Sequence, residues 1–270
     1  MIKTTILKTQ ETHHDQPMKG KHKMNSNKKA ARNAGFWYLL MAITGPIGLL
    51  YVPSKLIVAG DATATSNNIM ASESLFRIGI VSNFLCQLAF IFLVLALYRL
   101  LKGVNQQQAS LMVALVLVSI PIAFLNMLNP LAVLLLLSGA DFLTAFNPNQ
   151  LYALVMVFLS LQEQGTIIVE IFWGLWLLPF GWLVFKSGFF PKILGILLIL
   201  AGFGYVVSSF TYLLFPHYGE IVSSYASMPE AIGELSMVLW LLIKGVKEQK
   251  PDSSFGRLNA GNDLATINES

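Results

Sequence analysis

The stretch TIIVEIFWGLWLLPFGWLVFKSG, residues 166–188, is apolar over the length of a membrane span, yet it carries Glu170 near its start and Pro179 in its middle. A helix rises about 1.5 Å per residue, so crossing a hydrocarbon core about 30 Å thick takes about 20 apolar residues. The quoted run qualifies as a span over 163–185. Five other segments qualify too, at approximately 35–58, 77–101, 109–129, 190–214 and 228–246. In lipid every backbone N–H and C=O must be satisfied within its own segment, and no segment alternates with the period of a barrel strand. The sequence therefore predicts an all-α, polytopic integral membrane bundle of about six transmembrane helices.

Composition leads to the same class. Of 270 residues, 55% are hydrophobic and 12% charged, against about 25% charged in soluble domains. The net charge of +4 could suggest nucleic acid as a partner, but eight of the eighteen basic residues lie in the first 34 positions, beside an apolar span. Anionic lipid headgroups are the simpler partner for such a tail, so the expected partner is the bilayer and not nucleic acid. Cys86 is the only cysteine, which excludes an intramolecular disulfide and a CxxC motif and leaves it as a packing residue.

Residues 1–34 have no continuous apolar h-region and no small-residue cleavage site, so a polar, disordered tail is expected and not a cleaved signal. His13, His14 and His22 within it could hold a metal adventitiously, against the plainer reading of a solvated arm. Residues 249–270 are polar and lack a CaaX ending. A membrane domain over 35–248 lies between the two tails.

Basic residues orient the spans. The N-terminal tail, Arg99 with Lys102, Lys186 with Lys192, and Lys244, Lys247, Lys250 and Arg257 together hold sixteen of the eighteen, all on one side of six crossings. Only Lys55 and Arg77 lie toward the other face, whose loops carry Asp61, Glu73, Asp141 and Glu220. Both termini are thus expected in the cytoplasm. Residues 130–162 contain two apolar runs too short to span alone. They read either as outward extensions of spans 3 and 4 or as a pair of interfacial or re-entrant helices joined by the NPNQ turn.

Polar residues recur at one depth. Counted from Lys186, Glu170 lies roughly 24 Å up the helix. Asn83 and Gln87, four apart on one face of span 2, Asn126 in span 3, and Ser208 with Ser209 in span 5 fall at a similar level. Glu234 in span 6 joins them. Intramembrane acids usually face a bundle interior or a watery cavity, because an ionised side chain at a helix centre costs about 2.5 to 3.5 kcal/mol. The expectation is a polar pocket opening to the outer face, with Glu170, Glu234, Asn83, Gln87, Asn126 and Ser208 as candidate ligand-binding residues.

Each candidate has a structural reading as well. The amides can be interhelical glue worth on the order of 1 kcal/mol each. Glu170 and Glu234 can be paired with a cation such as Lys55; without one, either could carry a proton. Ser227 and Glu230 fit a capping box with Pro229 in the first turn, which makes Glu230 a helix start. Arg77 can pair with Glu73 one turn earlier. Tyr38, among other aromatics near span ends, reads as an interface anchor, and Trp173 with Trp176 can wall a pocket beside Glu170. Pro46, Pro53, Pro121 and Pro179 are hinges or merely the prolines that membrane helices tolerate.

No Walker A loop, HExxH, GxSxG or arginine-studded span occurs, so neither cofactor nor catalytic residue is assigned. Residues 30–80, AARNAGFWYLLMAITGPIGLLYVPSKLIVAGDATATSNNIMASESLFRIGI, and 172–207, FWGLWLLPFGWLVFKSGFFPKILGILLILAGFGYVV, resemble the bacterial multi-pass membrane family catalogued as domain of unknown function 4386. The likeness spans most of 30–246. It implies a bacterial cytoplasmic-membrane protein of about six helices and supplies no activity or site. The functional expectation is a transporter-like or small-ligand-binding membrane protein, with a structural or partner-binding subunit as the alternative and an intramembrane enzyme as the third class.

Overall fold

The computed structural model of the chain describes residues 16–246, with side chains from residue 28 onward. His13, His14 and the tail 249–270 lie outside the described residues, and the side chain of His22 is not described. The elements run α1 (Gln16–Pro46), a π turn (Ile47–Tyr51), α2 (Val52–Leu56), α3 (Ala62–Ala71), α4 (Glu73–Leu101), α5 (Gln106–Asn126), α6 (Leu128–Leu136), a 3₁₀ turn (Asp141–Ala145), α7 (Pro148–Lys186), α8 (Lys192–Leu214) and α9 (Pro216–Ile243). Among the described residues there is no strand, and six helices are long and apolar enough to cross a membrane: Lys28–Leu56, Glu73–Leu101, Gln106–Leu136, Pro148–Lys186, Lys192–Leu214 and Pro216–Ile243.

Local chemistry sets the boundaries. The Asp61 carboxylate accepts from the Ala64 N–H at 2.8 Å and starts α3, and Asn105 caps α5 in the same way through the Gln108 N–H at 2.9 Å. The NPNQ turn is the capping box of α7. Asn147 accepts from the Gln150 N–H, the Gln150 side chain accepts from the Asn147 N–H, and Pro148 stands in the first turn. Residues 130–162 thus extend spans 3 and 4, the first of the two expected readings. Arg77 holds Glu73 at 2.7 Å.

Three boundaries and roles differ from the sequence-based expectation. Helix α1 reaches back to Gln16, so residue 34 is not an element boundary. Helix α9 begins at Pro216 and continues unbroken through Pro229; the Ser227 hydroxyl donates to the Ser224 carbonyl at 2.9 Å, and Glu230 is a mid-helix residue, not a cap. Tyr38 is fully buried, not an interface anchor.

The six crossings form a ring. Helix α1 packs on α4, α4 on α5, α5 on α7, α7 on α8 and α8 on α9, and α9 returns to α1. Large apolar side chains such as Leu50, Leu125 and Leu239 lie exposed on its outside, as lipid-facing positions should. Inside, toward the end where α1 begins and α9 finishes, Trp176 stacks on Phe180 with ring centroids 5.2 Å apart and meets Phe90 edge-on at 5.0 Å. Leu93, Leu97, Met112, Leu198 and Met237 fill the space around them.

Backbone contact between α7 and α8 draws the ring tight. Gly174 and Gly181 have the same spacing as Gly195 and Gly202, so antiparallel helices meet at both pairs in register. A Cβ on Gly174 would sit 2.6 Å from the Gly202 carbonyl oxygen, and one on Gly181 would sit 2.7 Å from that of Gly195. Small residues let membrane helices approach this closely and gain dispersion where burial from water offers nothing. Gly181→Leu should lower stability by about 1 to 3 kcal/mol or more through overpacking, whereas Gly103→Ala, which meets open space, should be neutral. Unfolding midpoints in mixed micelles measure both, and an unchanged midpoint for Gly181→Leu would contradict the contact.

Candidate functional site

Helices α4, α5 and α7 present uncharged polar side chains to one cavity. On α4, Asn83, Cys86 and Gln87 face it. On α7, Gln162, Thr166, Val169 and Trp173 follow the four-and-three spacing that keeps one helical face turned inward. Asn126 completes the polar lining from α5. Its Nδ2 donates to the Gln162 carbonyl at 2.8 Å and to Thr166 Oγ1 at 3.3 Å, while its Oδ1 accepts from Asn129 Nδ2 at 2.9 Å. The Thr166 hydroxyl donates to the same Gln162 carbonyl at 2.9 Å. Gly165 makes this junction possible, because a side chain there would occupy the space of the Asn126 amide.

The cavity has an accessible core of about 30 Å³, room for about one or two water-sized groups. Two atoms on its lining residues find no protein partner. They are the Gln87 Oε1, on a side chain only 5% exposed, and the Trp173 Nε1–H. A buried acceptor or donor left unmatched costs about 1 to 3 kcal/mol, and native proteins rarely leave one so. Here the acceptor and the donor belong to two residues that line the same small cavity.

The acids form a second cluster, between α1, α7, α8 and α9. Glu234 of α9 accepts from the Tyr38 hydroxyl of α1 on Oε2 at 3.0 Å and from the Tyr205 hydroxyl of α8 on Oε1 at 2.9 Å. Both carboxylate oxygens are therefore engaged, and three helices are tied by one side chain. Glu230, one turn earlier on α9, lies against Gly204 of α8. Glu170 of α7 is within electrostatic reach of Tyr205 and Glu230. Lys55, the cation expected nearby, lies elsewhere, its Nζ 5.9 Å from the Tyr51 ring centroid, and Arg77 pairs with Glu73 as expected. Among the described residues no group of three or more His, Cys, Asp or Glu is placed to hold a metal.

The six candidate residues thus divide. Asn83, Gln87 and Asn126 share the cavity. Glu234 and Glu170 belong to the acid cluster and do not line the cavity, and Ser208 is buried in α8. Gln162 and Thr166 join the amides although sequence reasoning did not group them there, their common helical face being the available signal; Trp173, expected to wall a pocket beside Glu170, lines this cavity with them. Tyr38 and Tyr205 carried no such signal, because the approach of α1 to α9 is a property of the ring.

Fold and site define a class: a multi-pass helical membrane protein whose hydrophilic side chains gather within the ring of crossings. The chain belongs to the family described as domain of unknown function (DUF4386), whose pattern matches residues 33–245. It is also similar to an uncharacterized protein of Archaeoglobus fulgidus, 37% identical over 90 residues, which are 33% of this chain and 49% of that relative. The match therefore spans about half the length of the relative. No solved structure matches the chain.

The Glu234 clamp makes a quantitative prediction. Tyr38→Phe and Tyr205→Phe should each cost about 1 kcal/mol, the usual worth of an interhelical hydrogen bond in a membrane, and Glu234→Leu, which removes both acceptors, should cost at least their sum. Mixed-micelle unfolding of the three variants checks this; a neutral Glu234→Leu would show that the clamp does not stabilise the ring.

Proposed function

We propose that this protein is a transporter-like, small-ligand-binding membrane protein whose binding chamber is the amide-lined cavity between α4, α5 and α7. One observation carries the reading. Gln87 and Trp173, which line the same cavity, each keep one buried polar atom without a protein partner, the Gln87 Oε1 acceptor and the Trp173 Nε1–H donor, and a ligand with both hydrogen-bonding capacities would satisfy them once those side chains turn toward it. In this reading the end bearing α3 faces the outside of the bacterial cytoplasmic membrane and both termini face the cytoplasm, because sixteen of the eighteen Lys and Arg fall on the terminal side. Glu170 and Glu234 flank the chamber as a separate acidic cluster.

The alternative, a structural or partner-binding subunit, is supported by Asn126, whose amide is used up in bonds within and between helices. Gln87 and Trp173 do not fit that role. Screening purified protein for thermal shifts with a panel of small neutral and charged solutes separates the two readings. A binding solute at a hundred times its dissociation constant should stabilise the protein by about 2.7 kcal/mol, and Gln87→Leu should abolish the shift while Glu170→Gln retains it. Absence of any shift across the panel, or a shift unchanged in both Gln87→Leu and Trp173→Phe, would remove the ligand-binding reading.

A further inference from the structure

A second cavity, with an accessible core of about 20 Å³, lies between α2, α4, α6 and α7 and shares two lining residues with the first, Asn83 and Gln162. Its position follows from residue order. Along α4, which runs from the α3 end toward the terminal end, Phe76, Gly79 and Asn83 line the second cavity, and Asn83, Cys86 and Gln87 line the first. Along α7, running the same way, Leu159 and Gln162 precede Thr166 and Trp173. Along α5 and α6, running the opposite way, Asn126 of the first cavity precedes Pro130 of the second. The two cavities are therefore stacked on one axis, the second nearer the α3 end.

The terminal side of the stack is closed. One turn beyond Gln87 and Trp173 stand Phe90 and Trp176, both almost fully buried and in ring contact. The other end is covered by α3, whose Ile69 is 1% exposed and packs among Val52, Leu56, Phe76 and Leu159, the apolar wall of the second cavity. Neither cavity has a charged residue in its lining. The two residues common to both are amides, each able to offer a donor and an acceptor.

We infer that the two cavities form one blind access path for small uncharged hydrogen-bonding solutes. The path enters under α3, narrows between Asn83 and Gln162, and ends at Gln87 and Trp173. This deepens the proposed function and rests on its reading of the first cavity as a chamber. Asn83 and Gln162 set the specificity, because a neutral solute can exchange its water for their amides one bond at a time, whereas an ion would lose its hydration shell with no opposite charge to replace it. Gly48 gives the constriction its shape: it stands in the π turn where a side chain would displace the Asn83 amide.

The chain carries its own reporter. Cys86, the sole cysteine, lines the inner cavity, so thiol modification of the full-length protein in micelles reads out passage along the path. The neutral reagent methyl methanethiosulfonate forms a methyl disulfide on the Cys86 sulfur and releases methanesulfinate. Its trimethylammonioethyl and sulfonatoethyl analogues differ from it by charge and by the longer chain that carries it, and neutral n-propyl methanethiosulfonate controls for part of that added bulk. The two neutral reagents should modify Cys86 at similar rates and the charged pair on the order of a hundred-fold more slowly. Gln162→Leu and Leu159→Trp should slow the neutral reagents several-fold. Ile69→Ala should accelerate them while preserving discrimination against charge, which distinguishes an opened cover from an unfolded chain that reacts with every reagent alike.

Equal rates for neutral and charged reagents, no modification of Cys86, or indifference to both Gln162→Leu and Leu159→Trp would overturn the path. The thermal-shift screen with Gln87→Leu separates this failure from that of the chamber. A surviving shift with the wrong labelling pattern leaves the chamber and removes the route, and the expected labelling with no shift keeps the route and removes ligand binding.

Discussion

Hydrocarbon offers no hydrogen bonds, and that constraint decides where every polar side chain of the six crossings can lie. A backbone group or side-chain amide facing lipid would go unmatched, so the ring turns Leu, Ile, Val and Phe outward and its amides, hydroxyls and carboxyls inward. Helices that share an interior must also come close enough for those groups to meet. The paired glycines of α7 and α8, Gly165 beside Asn126 and Gly204 beside Glu230 each remove a side chain where a polar or backbone contact needs the room. Close approach and polar satisfaction are therefore two aspects of one packing solution.

The two polar clusters respond to that constraint differently. Glu234 has both oxygens occupied by tyrosine hydroxyls, and Asn126 spends both its donor and its acceptor on neighbouring groups. These are closed arrangements: they stabilise helix contacts and leave little for a ligand. Gln87 and Trp173 are open, each with one buried atom unmatched. Since an unmatched buried group opposes folding, the open pair is the poorer structural device and the better candidate for recognition. The division falls within the set of polar residues at a common depth, so depth alone does not distinguish function from glue.

That division explains what was legible in the sequence. Depth along a helix follows from counting residues at a fixed rise, and counting found the six apolar spans, while it left 130–162 open between two readings and named Asn83, Gln87 and Asn126, which line one cavity. Azimuth about the axis and the identity of neighbouring helices depend on how the ring closes, which no local pattern records. Glu170 and Glu234 were consequently grouped with the amides, although they turn toward α8 and α1. Tyr38 looked like an interface anchor for the same reason: its role appears only once α9 returns to α1. Pro229 suggested a helix start at Ser227, but a proline one turn into a helix and one in the middle of it present the same local sequence, and Pro216 supplies the real first turn.

The length of α7 places the cavities relative to the bilayer. It has 39 residues, roughly 58 Å at the standard rise, about twice what a hydrocarbon core demands. Measured from Lys186, Trp173 stands roughly 20 Å along the helix and Gln162 roughly 36 Å. The floor of the inner cavity is thus at hydrocarbon depth, whereas the constriction lies at the level of the headgroups. Polar linings at the upper level would be hydrated in any bundle and need no special account. At the lower level, water must be enclosed by protein to be present at all, so a group that matched Gln87 or Trp173 would have to come down between the helices. The surplus length of α7, with α3 and α6 packed on it, builds the walled approach that such a descent requires.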